Sequence, residues 1–391
     1  MCILVDYSCV CRASANARLG KDVMSQRTVD VHNHMYPKEY LDFLAGRKGR
    51  RSWAEQTGPN SYLLWNDDVI IAHIDRAGHY DPAVRIADMD KAGLDTQIVS
   101  KTIPDPSALP REQGIYWAKR VNDYFAEVTQ AYPHRIYAMA CLPYQDPDEA
   151  CYELERCIND LGVKGIQMFS NCQGTVMFDP RFDGIFKLAN DHKLPVLIHP
   201  TVPLTAEAMK KSRMPFQLFS YTMDTSLCMM GLIFNGVFAK HKDLRAVHSH
   251  LGGVVPYLVG RLHASWKGYA EEWDLALDEH PADTYTKRVF PDTASSNHLP
   301  SLRACLDWVG TSQIVLGTDY AHRSGDPKGA IAAVTGLGKL AGLTEPEVDR
   351  ILGANAVELF NLPPMPDALR ASTAEARERA GARREQSAGV S

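Results

Sequence analysis

Four side chains have the types and positions of metal ligands. His32 and His34 are two residues apart, and in an extended strand such a pair points to the same side. His199 and Asp319 each end a short apolar run. Three imidazoles and one carboxylate suit one borderline divalent ion such as Zn²⁺. A buried histidine or a helix-capping aspartate would explain each residue alone, so the prediction depends on their combination.

A second pair of histidines, His248 and His250, directly precedes Gly252 and Gly253. Imidazole titrates near neutral pH, which makes His250 a candidate catalytic residue for moving a proton. For His248 the position favours a hydrogen bond behind the site. The two glycines allow the next helix to begin close to these side chains.

Two charged residues outside these pairs, Arg76 and Asp224, are candidates for substrate binding and for helix capping. Arg76 lies just before a helix that Asp81 and Pro82 are expected to begin. A guanidinium there would hold a substrate carboxylate in two hydrogen bonds, although a solvated surface arginine fits the spacing equally well. Asp224 is expected to cap a helix predicted over residues 226–240.

The elements that must position these residues alternate between strand and helix from residue 27 to residue 362. Eight strands, each followed by a helix, indicate an α/β protein whose parallel sheet closes as a (β/α)8 TIM barrel. The predicted strands cover residues 28–32, 96–100, 135–141, 163–169, 195–199, 244–248, 288–292 and 313–317. The segment 36–78 is expected to be an insertion after the first strand that caps the barrel.

The candidate ligands fall at the ends of predicted strands one, five and eight. The active site of such a barrel lies at the carboxyl ends of its strands, so the placement agrees with the predicted fold. An open, doubly wound sheet is the alternative architecture. Its dinucleotide-binding form has no support, because no GxGxxG motif follows the first strand.

Composition excludes several classes of protein. The chain has 391 residues, of which 45% are hydrophobic and 23% charged, as in ordinary globular proteins. A net charge of −5 shows none of the basic surplus of a nucleic-acid-binding protein, and no apolar run reaches the ~18–20 residues of a membrane helix. Nine scattered cysteines are expected to be reduced thiols, and no basic residue precedes the apolar start, so we predict a cytoplasmic protein.

The two ends of the chain differ from its middle. Residues 1–26 are expected to form a flexible N-terminal extension, in which Cys9 and Cys11 are free thiols. Residues 363–391 are rich in Ala, Arg, Glu and Ser and are expected to form a disordered tail. The barrel domain is therefore predicted to span residues 27–362.

Taken in order, the motifs resemble a known family. They read DVHNHMYP, YDPAVRIADMDKAGLD, LIHPTVP, TMDTSLCMMGLIFNGVF, HSHLGGVVPYLVGRL and VLGTDY, and they run from about residue 28 to residue 362. The set is similar to the metal-dependent decarboxylase branch of the amidohydrolase superfamily, and within it to the aminocarboxymuconate-semialdehyde decarboxylases. Other members of the branch act on resorcylate, carboxyvanillate and isoorotate.

The resemblance implies a (β/α)8 barrel with one divalent metal, usually zinc and in some members manganese. It places the metal ligands at His32, His34, His199 and Asp319 and the catalytic histidine at His250. It further implies a homodimer or homotetramer that acts on a small carboxylic acid.

Among the residues expected near the substrate, one matches the family and others differ from it. The substrate-binding arginine of the family falls on Arg76. After Asp319 the family usually has Tyr or His and then Pro, whereas here His322 and Arg323 are expected to line the opening, with His322 binding substrate. His248 adds an imidazole on the substrate side where many members have a small residue. Residues 167–169 are Gln-Met-Phe where two-metal members carry a carboxylated lysine, so one metal is expected.

The activity implied by the resemblance is non-oxidative decarboxylation of an aromatic or conjugated unsaturated carboxylic acid. Protonation of the carbon that bears the carboxylate gives the electrons a sink, and loss of CO₂ then restores conjugation. In this hypothesis His250 moves the proton, Asp319 relays or delivers it, and Arg76 orients a carboxylate. The alternative is metal-dependent hydrolysis of a lactone or amide, which the Asp-Tyr-Ala-His sequence favours slightly. A hydratase and a non-catalytic binding protein are weaker alternatives.

Overall fold

The computed structural model of the chain describes residues 27–273, 275, 277–294 and 298–369. The predictions for residues 1–26 and for the chain from residue 370 onward lie outside the described residues. Residues 363–369 are described. In this stretch the Pro363 carbonyl accepts a hydrogen bond of 2.9 Å from Arg27, and Met365 is buried.

The centre of the protein is a curled parallel sheet of seven strands, in the order β1-β5-β6-β7-β10-β11-β12. The strands of the chain are β1 (Val29–Asp30), β2 (Ser52–Gly58), β3 (Ser61–Asn66), β4 (Val69–Ile74), β5 (Thr96–Val99), β6 (Ile136–Ala140), β7 (Gly165–Phe169), β8 (Asn171–Cys172), β9 (Thr175–Val176), β10 (Val196–His199), β11 (Ala246–His248) and β12 (Val289–Pro291). The central strands β5, β6, β7 and β10 are buried along their whole length. Such continuous burial is typical of a parallel sheet that is covered on both faces.

Helices follow the strands of the sheet along the chain. They are α1 (Lys38–Ala45), α2 (Pro82–Ala92), α3 (Arg111–Ala131), α4 (Pro147–Arg156), α5 (Asp183–Asp191), α6 (Ala206–Ser212), α7 (Ser220–Phe234), α8 (Val237–Lys240), α9 (Ser249–Gly252), α10 (Val255–Glu272), α11 (Pro281–Arg288), α12 (Leu299–Val309), α13 (Pro327–Ala341), α14 (Glu345–Asp349) and α15 (Asn355–Leu359). The predicted start of α2 is confirmed, because the Asp81 carboxylate accepts hydrogen bonds from the backbone N–H groups of Ala83 and Val84. Among the described residues, no helix combines the length and the apolar character that crossing a membrane requires.

The eighth predicted strand closes the sheet without forming a regular ladder. Val315 makes one parallel bridge with Asp292, and its N–H donates to the Pro291 carbonyl at 3.0 Å. On the other side, the Val31 N–H donates to Leu316 at 2.9 Å. This segment therefore lies between β12 and β1 and completes the TIM barrel.

The irregular pairing of this segment has a local cause. The N–H groups of Thr318 and Asp319 both donate to the His32 carbonyl, at 3.1 Å and 2.8 Å, so the chain turns there. Asp319 has a φ of 58°, in the left-handed region, and cannot continue an extended strand. Gly317 is needed beside it, because a Cβ atom would lie 2.9 Å from the Cβ of His32.

The insertion after the first strand folds as α1 followed by an antiparallel sheet, in the order β2-β3-β4. Alternate residues of β3 are buried, and Tyr62 and Leu64 belong to the same apolar cluster as core residues of the barrel. On the sheet's outer part, Trp53 stacks on Trp65 with 5.2 Å between ring centroids. The end of β4 leads directly to Arg76 and the start of the barrel's first large helix, α2.

Candidate active site

The four predicted ligands meet at the carboxyl ends of the barrel strands. The Nε2 atom of His34 lies 3.2 Å from Nε2 of His199 and 3.3 Å from Oδ1 of Asp319. His32 Nε2 is 3.7 Å from the same carboxylate oxygen. All four residues are buried, and Asp319, the most accessible of them, is 7% exposed.

Several features of this cluster fit a bound cation. His32 Nε2 is buried and has no hydrogen-bond partner in the described part of the chain. The two Nε2 atoms of His34 and His199 face each other, so at most one of them donates a hydrogen to the other. Burial lowers the pKa of His34 to about 3 and holds that of His199 well below its usual value, which leaves both rings as neutral ligands.

Charge in the cluster also favours a cation. Burial opposes ionisation of Asp319, but the hydrogen bond with His34 and the neighbouring imidazoles hold the pKa of its carboxyl well below the usual range. Burial alone would lower the pKa of His32, yet the nearby Asp292 carboxylate raises it to about 9. The site thus attracts positive charge at His32, where a metal ion would take the place of a proton.

Asp292 is a residue that the sequence analysis did not assign to the site. It lies just after β12, is fully buried, and accepts a hydrogen bond of 2.7 Å from His32 Nδ1. Its other oxygen accepts from the backbone N–H of His250 at 3.0 Å. A carboxylate of this kind fixes the ring orientation of a ligand histidine. The sequence did carry one signal, since an acidic residue ended the predicted seventh strand.

Arg85 is a second residue that the sequence analysis missed. It is fully buried in α2, and its guanidinium donates to Asn33 Oδ1 at 2.9 Å, to Gln97 Oε1 at 2.7 Å and to the His34 carbonyl. The group also lies 4.9 Å from the centroid of the Tyr320 ring. Burial lowers the pKa of Arg85 to about 10, so it stays charged at neutral pH. Its contacts hold the backbone beside His34 and the segment after Asp319 in place.

His250 lies next to the cluster, and its ring centroid is 5.1 Å from that of His32. The residue adopts a left-handed conformation, with φ 57° and ψ 55°, and Asp292 holds its N–H. Its Nδ1 atom is buried without a hydrogen-bond partner among the described residues, and burial lowers its pKa. His250 is thus a neutral imidazole at physiological pH, with a nitrogen available for a proton.

His248 occupies a different position, behind the cluster. It is fully buried, and its Nδ1 atom lies 2.9 Å from the Tyr285 hydroxyl. Burial lowers its pKa to about 3. His248 is absent from the described residues that line the cavity over the cluster.

A cavity of about 830 Å³ opens above the clustered side chains. Its floor includes His199, His250, Asp319 and His322, and its walls are mainly apolar. The wall residues include Ile71, Ile103, Leu218, Tyr221, Leu251, Pro256, Tyr257, Pro300 and Ala304. An apolar chamber of this size with a few convergent polar groups is typical of a small-molecule site. A second cavity of about 820 Å³, between α7 and α10, is lined mostly by apolar side chains and lies away from the histidines.

The segment after Asp319 brings two further predicted residues to the opening. His322 lines the cavity, with its ring centroid 4.9 Å from that of His34, and Arg323 lines it beside His322. Arg76 lies elsewhere: its guanidinium donates to the carbonyls of Gly325 and, at 3.3 Å, of Arg323. Arg76 is not among the described residues that line the cavity.

The prediction that Asp224 caps a helix is wrong. α7 begins at Ser220, so Asp224 lies inside the helix rather than before it. Its buried carboxylate accepts hydrogen bonds from Asn171 Nδ2 at 3.0 Å and from the Leu204 N–H at 2.9 Å. Asp224 therefore joins α7 to the segments that follow β7 and β10.

Comparison with known proteins agrees with this geometry. The chain is 28% identical over 349 residues to 2-amino-3-carboxymuconate-6-semialdehyde decarboxylase of Dictyostelium discoideum, which covers 86% of this chain and 92% of the relative. Its structure is similar to that of 5-carboxyvanillate decarboxylase from Sphingomonas paucimobilis, with a TM-score of 0.75 and 22% identity over 87% of this chain and all of the other.

A second solved structure, 5-carboxyvanillate decarboxylase of Novosphingobium aromaticivorans, contains manganese and 4-hydroxy-3-methoxy-5-nitrobenzoic acid. Its TM-score is 0.74 at 22% identity, and the match covers 86% of this chain and 97% of that one. Residues 29–362 of this chain match the sequence profile described as Amidohydrolase, a range that includes every clustered ligand. Because the profile spans the whole barrel, this protein belongs to the amidohydrolase family.

Proposed function

We propose that this protein is a metal-dependent decarboxylase of an aromatic or conjugated unsaturated carboxylic acid. The observation that carries the proposal is the convergence of His32, His34, His199 and Asp319, with His250 beside them, under a largely apolar cavity. Relatives that are similar over most of this chain, those of Dictyostelium discoideum and Sphingomonas paucimobilis among them, are named as decarboxylases of such acids.

The metal is proposed to be one divalent ion, held by His32, His34, His199 and Asp319. Three neutral imidazoles and a carboxylate suit zinc, whereas the Novosphingobium structure contains manganese. When bound, such an ion supplies Lewis-acid polarisation of substrate oxygens. The choice between zinc and manganese is a matter for elemental analysis of the purified protein.

The chain's own residues are assigned to proton transfer. Direct loss of CO₂ from an unsaturated carbon would leave a poorly stabilised carbanion, so a proton must reach that carbon first. The proton comes from water. His250, a neutral imidazole with an unpartnered buried nitrogen, takes it up, and Asp319 relays or delivers it to the carbon. The carbon–carbon bond then breaks, its electron pair returns to the conjugated system, and CO₂ leaves.

Three residues are proposed to act on the substrate from around the cluster. His322 lines the cavity and contacts the substrate directly. His248 acts indirectly, from behind the cavity, as a neighbour of the catalytic His250. Arg76 acts through the backbone of the segment that includes residues 323–325, to which its guanidinium is bonded.

Hydrolysis of a lactone or amide is the second candidate function. Tyr320 and His322, directly after Asp319, place an aromatic ring and an imidazole at the ligand, and the same neutral His250 would serve as a general base. The substrate then gains water and loses no carbon.

The deciding experiment supplies the purified protein with Mn²⁺ or Zn²⁺ and a panel of hydroxybenzoates and carboxyvanillate. We expect release of CO₂, together with a product one carboxyl group smaller, and a loss of at least about 100-fold in kcat for His250→Asn. Turnover of lactones without release of CO₂ would move the assignment to the hydrolase. His192→Asn, on an exposed helix end, is the control.

We further propose a homodimer or homotetramer in the reducing environment of the cytoplasm. Support for assembly comes from exposed apolar side chains on α7 and α10, among them Met223, Leu227 and Tyr269, and from Trp273 directly after α10. α7 has no exposed charged side chain, since Asp224 is buried, so two copies can meet there without like-charge repulsion. Support for the compartment comes from six described cysteines that are free thiols.

A further inference from the structure

The segment that follows Asp319 is fastened to the end of the insertion sheet. Arg323 Nε donates to the carboxylate of Asp75, directly after β4, and Arg76 donates to the backbone carbonyls of Arg323 and Gly325. His322 and His73 lie side by side on the cavity wall. These contacts fix both the backbone and the side chain of Arg323, although the segment itself is a loop.

Arg323 has a distinctive place in the cavity. It is the one lysine or arginine among the described residues that line the chamber. Its side chain is 64% exposed, whereas the ligands on the floor are buried. The cavity therefore has a cation-attracting cluster of imidazoles and a carboxylate at the bottom, and the Arg323 guanidinium, paired with Asp75, near the opening.

The guanidinium keeps donors for a further partner. Asp75 accepts from Nε, and no described residue accepts a hydrogen bond from the two Nη atoms of Arg323. A pair of Nη donors matches the two oxygens of a carboxylate. The neighbouring lining residue His73 is neutral, since burial and the charge of Arg323 lower its pKa, and Asp75 is the one acidic partner of Arg323 among the described residues.

We propose that Arg323 binds a second anionic group of the substrate, a carboxylate, near the cavity opening while the carboxylate to be lost lies at the floor. Asp75 and Arg76 are positioning residues for this contact. The inference rests on the proposed function, which places the carboxylate to be lost at the floor of the cavity. It restricts the proposed substrate to an acid with two carboxylates. The arginine that contacts the substrate is then Arg323, and Arg76 holds it from behind.

The test compares two ligands that differ by one carboxylate, salicylate and 5-carboxysalicylate, by calorimetry on the Mn²⁺-loaded full chain. We expect the wild type to bind the diacid at least about tenfold more tightly, since one charge-assisted contact at a partly exposed site contributes on that order. Arg323→Met should remove this preference and change salicylate binding less than about twofold. Arg323→Lys should retain part of it. Arg261→Met, at an exposed arginine of the other cavity, should keep it in full.

The outcomes separate the two hypotheses. Equal affinities in the wild type, or an Arg323→Met variant that keeps the preference or weakens both ligands equally, would overturn the role of Arg323. The measurement depends on binding alone and does not require turnover. If Arg323 confers a preference for the diacid but no acid releases CO₂, the proposed decarboxylase activity is contradicted. The second anion site is then still supported. Because Arg323 is exposed, Arg323→Met should keep the thermal unfolding temperature of the wild type.

Discussion

At the scale of single residues, the cluster shows how neighbours decide the form of each side chain. Burial keeps His34 and His199 neutral, whereas Asp292 makes His32 attract positive charge. The ligand types and the strand ends were readable from the sequence. The roles of Asp292 and Arg85 were not, although Asp292 ended a predicted strand. Asp292 contacts a residue 260 positions away along the chain, and Arg85 contacts one 51 positions away.

His199→Ala should abolish metal binding. The variant removes one of three imidazoles whose nitrogens converge, and the remaining donors make a weaker site. Elemental analysis should find about one zinc or manganese per wild-type chain and much less in the variant. His192→Ala, at an exposed position, should retain the wild-type content. Equal metal content in all three proteins would disprove the assignment.

Lys101 gives a prediction about pH and stability. It is fully buried, donates to the carbonyls of Thr102 at 2.6 Å and of Pro104, and lies over the rings of Tyr36 and Tyr40. Burial lowers its pKa from 10.5 to about 7 in the folded protein. Between these values the unfolded chain binds more protons, so this residue's contribution to stability rises with pH from about 7 to about 10.5.

Comparison with Lys101→Met isolates that contribution. The free energy of unfolding of the wild type, minus that of the variant, should increase by up to about 2.7 kcal/mol between pH 7 and pH 9, at ~1.4 kcal/mol per pH unit. Urea unfolding at several pH values measures it. A difference that stays constant with pH would mean that the ammonium is not destabilised by its surroundings.

At the scale of elements, the strands of the barrel were predictable, whereas the three strands of the insertion and the start of α7 were not. The predicted strand 195–199 agrees with β10, and 163–169 contains β7. The start of α7 was placed six residues late, because Phe219 before it offers no side-chain cap and the helix is apolar on most faces. The eighth strand was placed correctly, but its irregular pairing follows from the turn at Asp319, which no local pattern indicates.

Two glycines test how closely the loop after Asp319 must pack. A Cβ atom at Gly325 would lie 2.2 Å from the Asp319 carbonyl oxygen, so Gly325→Ala must shift this backbone and should destabilise the protein by about 1–3 kcal/mol. At Gly260, inside α10, a Cβ atom would meet nothing within 4 Å, so Gly260→Ala should be neutral or stabilise by up to about 1 kcal/mol. Thermal unfolding measures both, and similar effects of the two changes would contradict the tight packing of this loop.

At the scale of the whole molecule, α7, α10 and the residues that flank them share one group of exposed apolar side chains. Leu218 and Tyr257, at the edge of this face, also line the catalytic cavity. An assembly through this face would thus shield part of the opening from water. The sequence showed apolar helices here, but only the fold shows which of their faces lacks a partner within the described chain.

Leu227→Glu should dissociate the proposed assembly. Leu227 is 51% exposed on α7, so a carboxylate there is tolerated by the monomer but repels its counterpart in a second copy. Sedimentation velocity should show a dimer or tetramer for the wild type and monomer for the variant. Leu340→Glu, at an exposed leucine of α13, should sediment as the wild type does. A monomeric wild type would refute the proposal.

The barrel is closed by residues from opposite ends of the domain, so it can close only after almost the whole domain has been synthesised. Thr318 and Asp30, 288 positions apart, share a hydrogen bond of 2.6 Å, and Asp319 joins His32 and His34 only once that closure has formed. A growing chain on the ribosome therefore presents the three histidines long before the carboxylate that completes their set. Maturation of the catalytic centre then belongs to the last stage of synthesis, and prematurely terminated chains should be inert rather than partly active.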